Sequence, residues 1–308
     1  MFDYNSSRDL LNAYKDGLMG AYCDPEDVDK LLGELPHPLF GAAAYDLHGS
    51  GEGKVALLYK HIQKVDPTFG YHEKQVTGDC VSHATRNAVD VTRCIEIVNG
   101  EREAWVARSA TEAIYGSRGH GRQGMSCSGA ARFVHQSGGI LLRKDYGFVD
   151  LSKYQGMLGA GWGSRGVPSE VKNEGKKHQV KTISLINSVS EARDAIANGY
   201  AISVCSGSGF SSRRDKHGIA KRSGGWSHAM AWVAMDDSRE IYDETLFLVQ
   251  NSWGVWNGGP KRFDQPDGSF WIRQRDAEVM LSQNGSWVFS DVDGFPPRNV
   301  EFTLDSVF

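Results

Sequence analysis

A chain of 308 residues, 23% charged, 40% hydrophobic and 10% aromatic, has the balance of an ordinary soluble globular protein and is long enough for one two-lobed domain or two modest ones. Its net charge of -4 offers no overall attraction to nucleic acid or anionic lipid, and no stretch approaches the roughly 18 consecutive apolar residues of a membrane span. The start, MFDYNSSRDLLNAYKDG, carries acids where an export signal would carry cations and then an apolar run, so the expected location is the cytoplasm.

In chain order, DPEDVDKLLGEL predicts a helix with Asp24 as N-cap and Pro25 at the first helical position. GKVALLYKHIQKV predicts a second helix. The glycines before it do not make a phosphate loop, because His48 stands where such a loop needs glycine and Val55 where it needs Ser or Thr. From Cys80, apolar residues recur at helical spacing through Val81, Ala84, Ala88, Val91 and Ile95, with Arg and Asp between them. SCSGAARFVHQSGG predicts another helix ending at Gly138 and Gly139, and the Gly- and Lys-rich stretch from 158 to 179, with its GWGSRG, reads as irregular loop. SVSEARDAIANG predicts a helix capped by Ser188 and ended by Gly199. The period then turns extended, predicting strands at 200–206, 228–235, 245–252 and 268–274. Helices first and strands second argue for an α+β protein.

The cysteines at 23, 80, 94, 127 and 205 are odd in number and scattered, which reads as free thiols of which at most one is chemical. None of the cysteines or histidines shows a paired metal-binding spacing, so neither a metal nor a cofactor is expected. Cys80 lies at a helix start, where the dipole favours a thiolate, and is equally consistent with the first core residue of that helix. His228 opens one strand and Asn251 ends the next. A cysteine nucleophile needs a base and a group to orient that base, and Cys80, His228 and Asn251 can fill those roles.

Three blocks then carry a resemblance: Gln75 with GDC and its helix, GGWSHAMAWVA around His228, and FLVQNSWGVWNGG through GSFWIR around Asn251. Over about residues 71 to 275 the sequence resembles the papain-like cysteine peptidases. The resemblance implies a two-lobed α+β fold, with a helical lobe carrying the nucleophile and an antiparallel β lobe carrying His and Asn. It also implies Cys80 as nucleophile, His228 as general acid/base, Asn251 as orienter, Trp253 as shield over their contact and Gln75 as oxyanion donor. Gly129 and Ala130 stand where that family pairs with substrate backbone. Thr77 stands at the family's usual disulfide cysteine, leaving Cys127 without that partner. Asp79 precedes the nucleophile, Val81 replaces an aromatic residue, and Gln75 is one residue closer to Cys80 than usual. His83, on the same helix face as Cys80, is read as a polar residue on the helix surface or a local-cap residue rather than a rival base.

The implied activity is hydrolysis of peptide bonds through a thioester acyl-enzyme, on a protein or peptide substrate. The alternatives are a catalytically silent papain-like domain serving as a structural or binding component, and a cysteine amidase. GDCVSHA is similar to papain-like proteins of tailed bacteriophages, which would make virion association the alternative location. The expected division is a helical extension over 1–70, a helical lobe over about 71–185, a β lobe over about 186–275 and a tail over 276–308. Finally, SSRRDKHGIAKR carries five cations against Asp215 alone. It reads as a solvated loop or, where it borders the cleft, as a steering patch for acidic substrates.

Overall fold

The computed structural model describes residues 7–15, 20–69, 73–101 and 107–300. The expected boundary at 70–71 and residues 1–6, 16 and 17 of the start read as lacking an export signal lie outside the described residues.

The first 65 residues hold α1 (Ser7–Lys15), β1 (Ala21–Tyr22), α2 (Pro25–Glu34), α3 (Phe40–Ala43), β2 (Val55–Ala56) and α4 (Leu58–Val65). As the sequence implies, Asp24 caps α2, its carboxylate accepting the N–H of Glu26. Then come α5 (Cys80–Val98), α6 (Glu112–Gly116), β3 (Met125–Ser126) and α7 (Cys127–Arg132), which runs on into a π-helical turn before Gly138. The stretch expected as loop forms α8 (Gly156–Arg165) and α9 (Ser169–Gly175). Its glycines are packing residues there: Gly159 in α8 lies so close to the backbone of Glu112 at the start of α6 that a Cβ would crowd it.

The second half gives β4 (Thr182–Ile186), α10 (Val189–Ala197), β5 (Ile202–Arg214), β6 (Ala220–Asp236), β7 (Leu246–Gln250), β8 (Ser269–Arg273), α11 (Gln274–Leu281) and β9 (Ser286–Ser290). Ser188 caps α10 as expected. The sheet runs β4-β9-β5-β6-β7-β8, antiparallel throughout, with β2 added to β6. Thus β9, in the segment expected as a tail, lies inside the sheet between β4 and β5. The fold is α+β, with a helical lobe and an antiparallel β lobe meeting along α5 and β6.

α5 sets the position of everything else. Its first 17 residues are all buried, so its charged residues are not a solvent face. Arg93 pairs with Asp291 at 2.9 Å, Glu96 with Arg298 at 2.9 Å, and Asp90 accepts the N–H and hydroxyl of Ser109. Buried charge persists only when paired in this way.

The cysteines require a correction. Cys127 on α7 and Cys205 on β5 are joined by a disulfide, while Cys23, Cys80 and Cys94 are free and buried. Sequence offered only the absence of the family's usual partner at Thr77; the actual partner is 78 residues away and is brought near by packing of the two lobes. Closing a loop of that length stabilises by at most about 4 kcal/mol through the unfolded state. Reduction with a phosphine is therefore expected to lower Tm by several degrees. A Cys127→Ala variant should melt at that lower temperature with or without reductant, and an equal Tm for oxidised and reduced wild type would contradict the bridge's role.

Candidate active site

Cys80 is the first residue of α5 and is 1% exposed. Its sulfur accepts the main-chain N–H of Ala229, so it lies against the His228–Ala229 peptide of β6. His228, 4% exposed, shares a 2.7 Å hydrogen bond between Nε2 and Asn251 Oδ1. An amide oxygen accepts, so this contact places the ring proton on Nε2 and leaves Nδ1 free to take a proton. Asn251 is fully buried, and its Oδ1 also accepts the Ser252 N–H at 2.7 Å. Trp253 stacks on the imidazole, with centroids 4.4 Å apart and planes at 29°. Trp226 and Trp256 pack around Trp253 at 4.7 and 5.5 Å. The ring pile keeps water off the His228–Asn251 bond, which strengthens it.

Three solved structures share this architecture. Xylellain, a cysteine protease from Xylella fastidiosa, is 17% identical at a TM-score of 0.52, covering 89% of this chain and 92% of that one. Procathepsin B S9 from Trypanosoma congolense is 13% identical at 0.53, covering 92% and 88%. The proform of Amb a 11, a ragweed pollen cysteine protease, is 14% identical at 0.50, covering 98% and 73%. The chain has the papain-like fold. No family model matches the sequence and no curated protein does.

Within this papain-like frame, Gln75 turns its side chain to its own surroundings. Nε2 donates to the Thr77 carbonyl at 2.8 Å and Oε1 accepts the Ser252 hydroxyl at 2.5 Å. With the Gln75 N–H on the Ser252 carbonyl, it stitches the loop before the nucleophile to the loop after Asn251. Gln123, which the sequence reading passed over, braces the same loop by accepting the Thr77 hydroxyl and the Gly78 N–H. Asp79 is buried beside Cys80 and directs Oδ2 to the Tyr154 hydroxyl at 2.7 Å and to His83 Nε2 at 3.4 Å. His83 also lies 3.2 Å from Arg86; it is buried and not on the helix surface, and its contact with Asp79 is a local one at the start of α5.

The residues expected to pair with substrate backbone are engaged within α7. Gly129 donates its N–H to the capping Ser126 hydroxyl and Ala130 is buried in the same helical turn, so neither offers a free edge. Just upstream of α7, the edge of β3 is paired with β1. Ala21 and Tyr22 pair in parallel with Met125 and Ser126, Gly20 accepts the Met125 N–H, and Ala21 accepts the Ser227 hydroxyl at 2.7 Å. Cys23 then sits buried against Gly285 and Cys205, its thiol donating to the Asn284 carbonyl. Residues 20–23 therefore cross between the helical lobe and the residue preceding His228. The Gly-Met-Ser lead into α7, with Gly124 at φ +83, was the signal available for this edge.

Burial, opposed by the Ala229 N–H and aided by Asp79, pushes the Cys80 thiol up to about 12. Burial, opposed by the Asn251 bond and aided by His83, pushes His228 down to about 4. Both partners are thus neutral at pH 7 in this closed arrangement. A buried neutral imidazole takes up its proton on unfolding, so its stabilising share is complete above pH 6.5 and is lost as pH falls from 6.5 to 4. For His228 the loss is on the order of 3 kcal/mol. His61, pushed down to about 4 by burial and Lys64, acts in the same direction. Urea unfolding at pH 7 and pH 4.5 should show the drop, and a His228→Gln variant should show a smaller one. An equal drop in that variant would assign the acid sensitivity elsewhere.

Proposed function

We propose that this protein is a papain-like cysteine peptidase held latent by its own residues 20–23. The observation that carries the reading is the buried His228 Nε2–Asn251 Oδ1 bond under Trp253, with the Cys80 sulfur against the same strand at the N-terminus of α5. In this reading His228 Nδ1 takes the Cys80 proton and the sulfur attacks the scissile carbonyl. The tetrahedral oxyanion is met by the Cys80 N–H, in the first turn of α5. Collapse of that intermediate sends the imidazolium proton to the leaving amine and leaves a thioester. Water, deprotonated by His228, then hydrolyses the thioester and restores the thiol. Gln75 contributes by fixing the loop, and reaches the oxyanion only if Nε2 leaves Thr77. Two of the structures similar to this chain are proforms, which supports reading the segment at 20–23 as an occluding one.

A silent papain-like domain is the second reading, favoured by the high thiol pKa and by Gln75 facing its own loop. A peptidyl acyloxymethyl ketone separates the two. The peptidase reading expects an adduct at Cys80 by intact mass and peptide mapping, absent in Cys80→Ala, with cleavage of a peptide library. No adduct, even with residues 20–23 displaced, would support the silent domain. An adduct without peptide cleavage would support an amidase.

A further inference from the structure

The cation-rich stretch is the tip of the long β5–β6 hairpin, turned by Asp215, whose Oδ1 accepts the N–H groups of His217 and Ile219. There a cleft of about 560 Å3 is lined by Arg213, Arg214, Lys221, Arg222, Arg273 and Arg275, with Asp215 and Asp276 as its carboxylates. Not all six cations are available. Arg214 is buried and spends its guanidinium on Asn257, Gly259, Pro260 and Ser269, and Arg273 is paired with Glu244. Arg213, Lys221 and Arg275 are exposed and make no ion pair among the described residues. On the acidic side, Asp215 is engaged by the turn, and Asp276 is buried, which raises its carboxyl pKa against the pull of Arg275, Arg222 and Arg273. A local positive excess survives on a chain whose total charge is -4.

The cleft is connected to the candidate active site by rings. Trp253 stacks on His228, Trp226 lies 4.7 Å from Trp253, and Phe210 lies 6.0 Å from Trp226. Phe210 is in turn the cross-strand partner of Arg222. Trp226, Trp253 and Trp256 are each half-buried, so this track has a face on the surface. From His228 to Arg222 along β6 is six residues, roughly 20 Å at a strand's rise of about 3.3 Å per residue. An extended polypeptide with its scissile bond at Cys80 would span that distance in a similar number of residues.

We propose that this cleft is an exosite for an acidic segment of the polypeptide substrate, about six to eight residues from the bond that is cut. Peptide is favoured over nucleic acid because the positive field is confined to one cleft on a net-negative chain, which suits a short acidic run and repels an extended polyanion. The link to cleavage rests on the peptidase reading, but binding does not. The test uses the full-length Cys80→Ala protein and fluorescein-labelled peptides of eight glutamates or eight glutamines, read by anisotropy. The glutamate peptide should bind at least about tenfold more tightly, with an advantage that falls as salt rises. An Arg213→Ala, Lys221→Ala, Arg275→Ala triple variant, altered only at exposed positions, should remove that advantage with Tm unchanged. Equal binding of the two peptides, full binding by the triple variant, or tighter binding of a DNA duplex of matched charge would overturn the exosite. If the peptidase reading fails and no substrate is cut, the anisotropy contrast still decides whether the cleft binds acidic peptide. If cleavage occurs, the triple variant should lower kcat/KM only for substrates with the acidic run.

Discussion

Replacing Cys80 by serine is expected to lower kcat for peptide hydrolysis by at least about 10³-fold while leaving Tm within a few degrees of wild type. The reasoning is local. A hydroxyl at the start of α5 has the same Ala229 N–H beside it, but its proton is far harder to remove than a thiol's. Nothing packs differently, because sulfur and oxygen occupy one buried place. Asn251→Ala should behave in the opposite way, with a smaller kinetic loss, about 10- to 100-fold, and a clear stability loss. Its Oδ1 accepts both the His228 Nε2–H and the Ser252 N–H, and both donors would be stranded in the interior at about 1–3 kcal/mol each. Retained activity in Cys80→Ser would remove Cys80 from the chemistry, and an Asn251→Ala protein as stable as wild type would contradict the buried bond.

The second large effect is expected at Gly20. Its φ of +149 and its close approach to Ser227 leave no room for a side chain, since a Cβ would collide with the Ser227 carbonyl oxygen. Gly20→Val should force residues 20–23 away from β3 and from the residue before His228. Alkylation of Cys80 by iodoacetamide at pH 7.5 should then rise by about tenfold or more, because solvent returned to the sulfur removes the main cause of its raised pKa. Peptidase activity should rise with it. An unchanged alkylation rate in a folded Gly20→Val protein would mean that the segment does not guard the thiol.

Much of this arrangement was legible in the sequence, and the reason differs from residue to residue. His228 and Asn251 could be paired in advance because the first opens one short apolar run and the second ends the next, and adjacent antiparallel strands bring a start beside an end. α10 and α2 were legible through their caps, which are local chemistry. α8 was not, because helical propensity counts glycine as a breaker, whereas here glycine is needed so that helices can touch. The charges of α5 suggested a wet face for a similar reason: Arg93 and Glu96 find their partners at Asp291 and Arg298, beyond the reach of any local pattern. β9 and the Cys127–Cys205 bridge share that character. The placement of residues 20–23 was invisible because it depends on the other side of their contacts, Met125 and Ser227, and not on the sequence GAYC itself.

Those remote ion pairs also govern when the protein can become complete during its synthesis. The helix that bears Cys80 is made well before its partners, and Arg93 and Glu96 wait for residues 291 and 298, which follow them by 198 and 202 residues, before they can be buried without uncompensated charge. β5, two residues after the Gly199 turn, likewise waits for β9 to cover its free edge. A nascent chain of this sequence thus holds the Cys80 helix unsealed until residues 291 and 298 have been made, and consolidates late around long-range contacts. Residues 20–23, already made by then, are in place to pair with β3 and to accept the Ser227 hydroxyl as the two lobes come together.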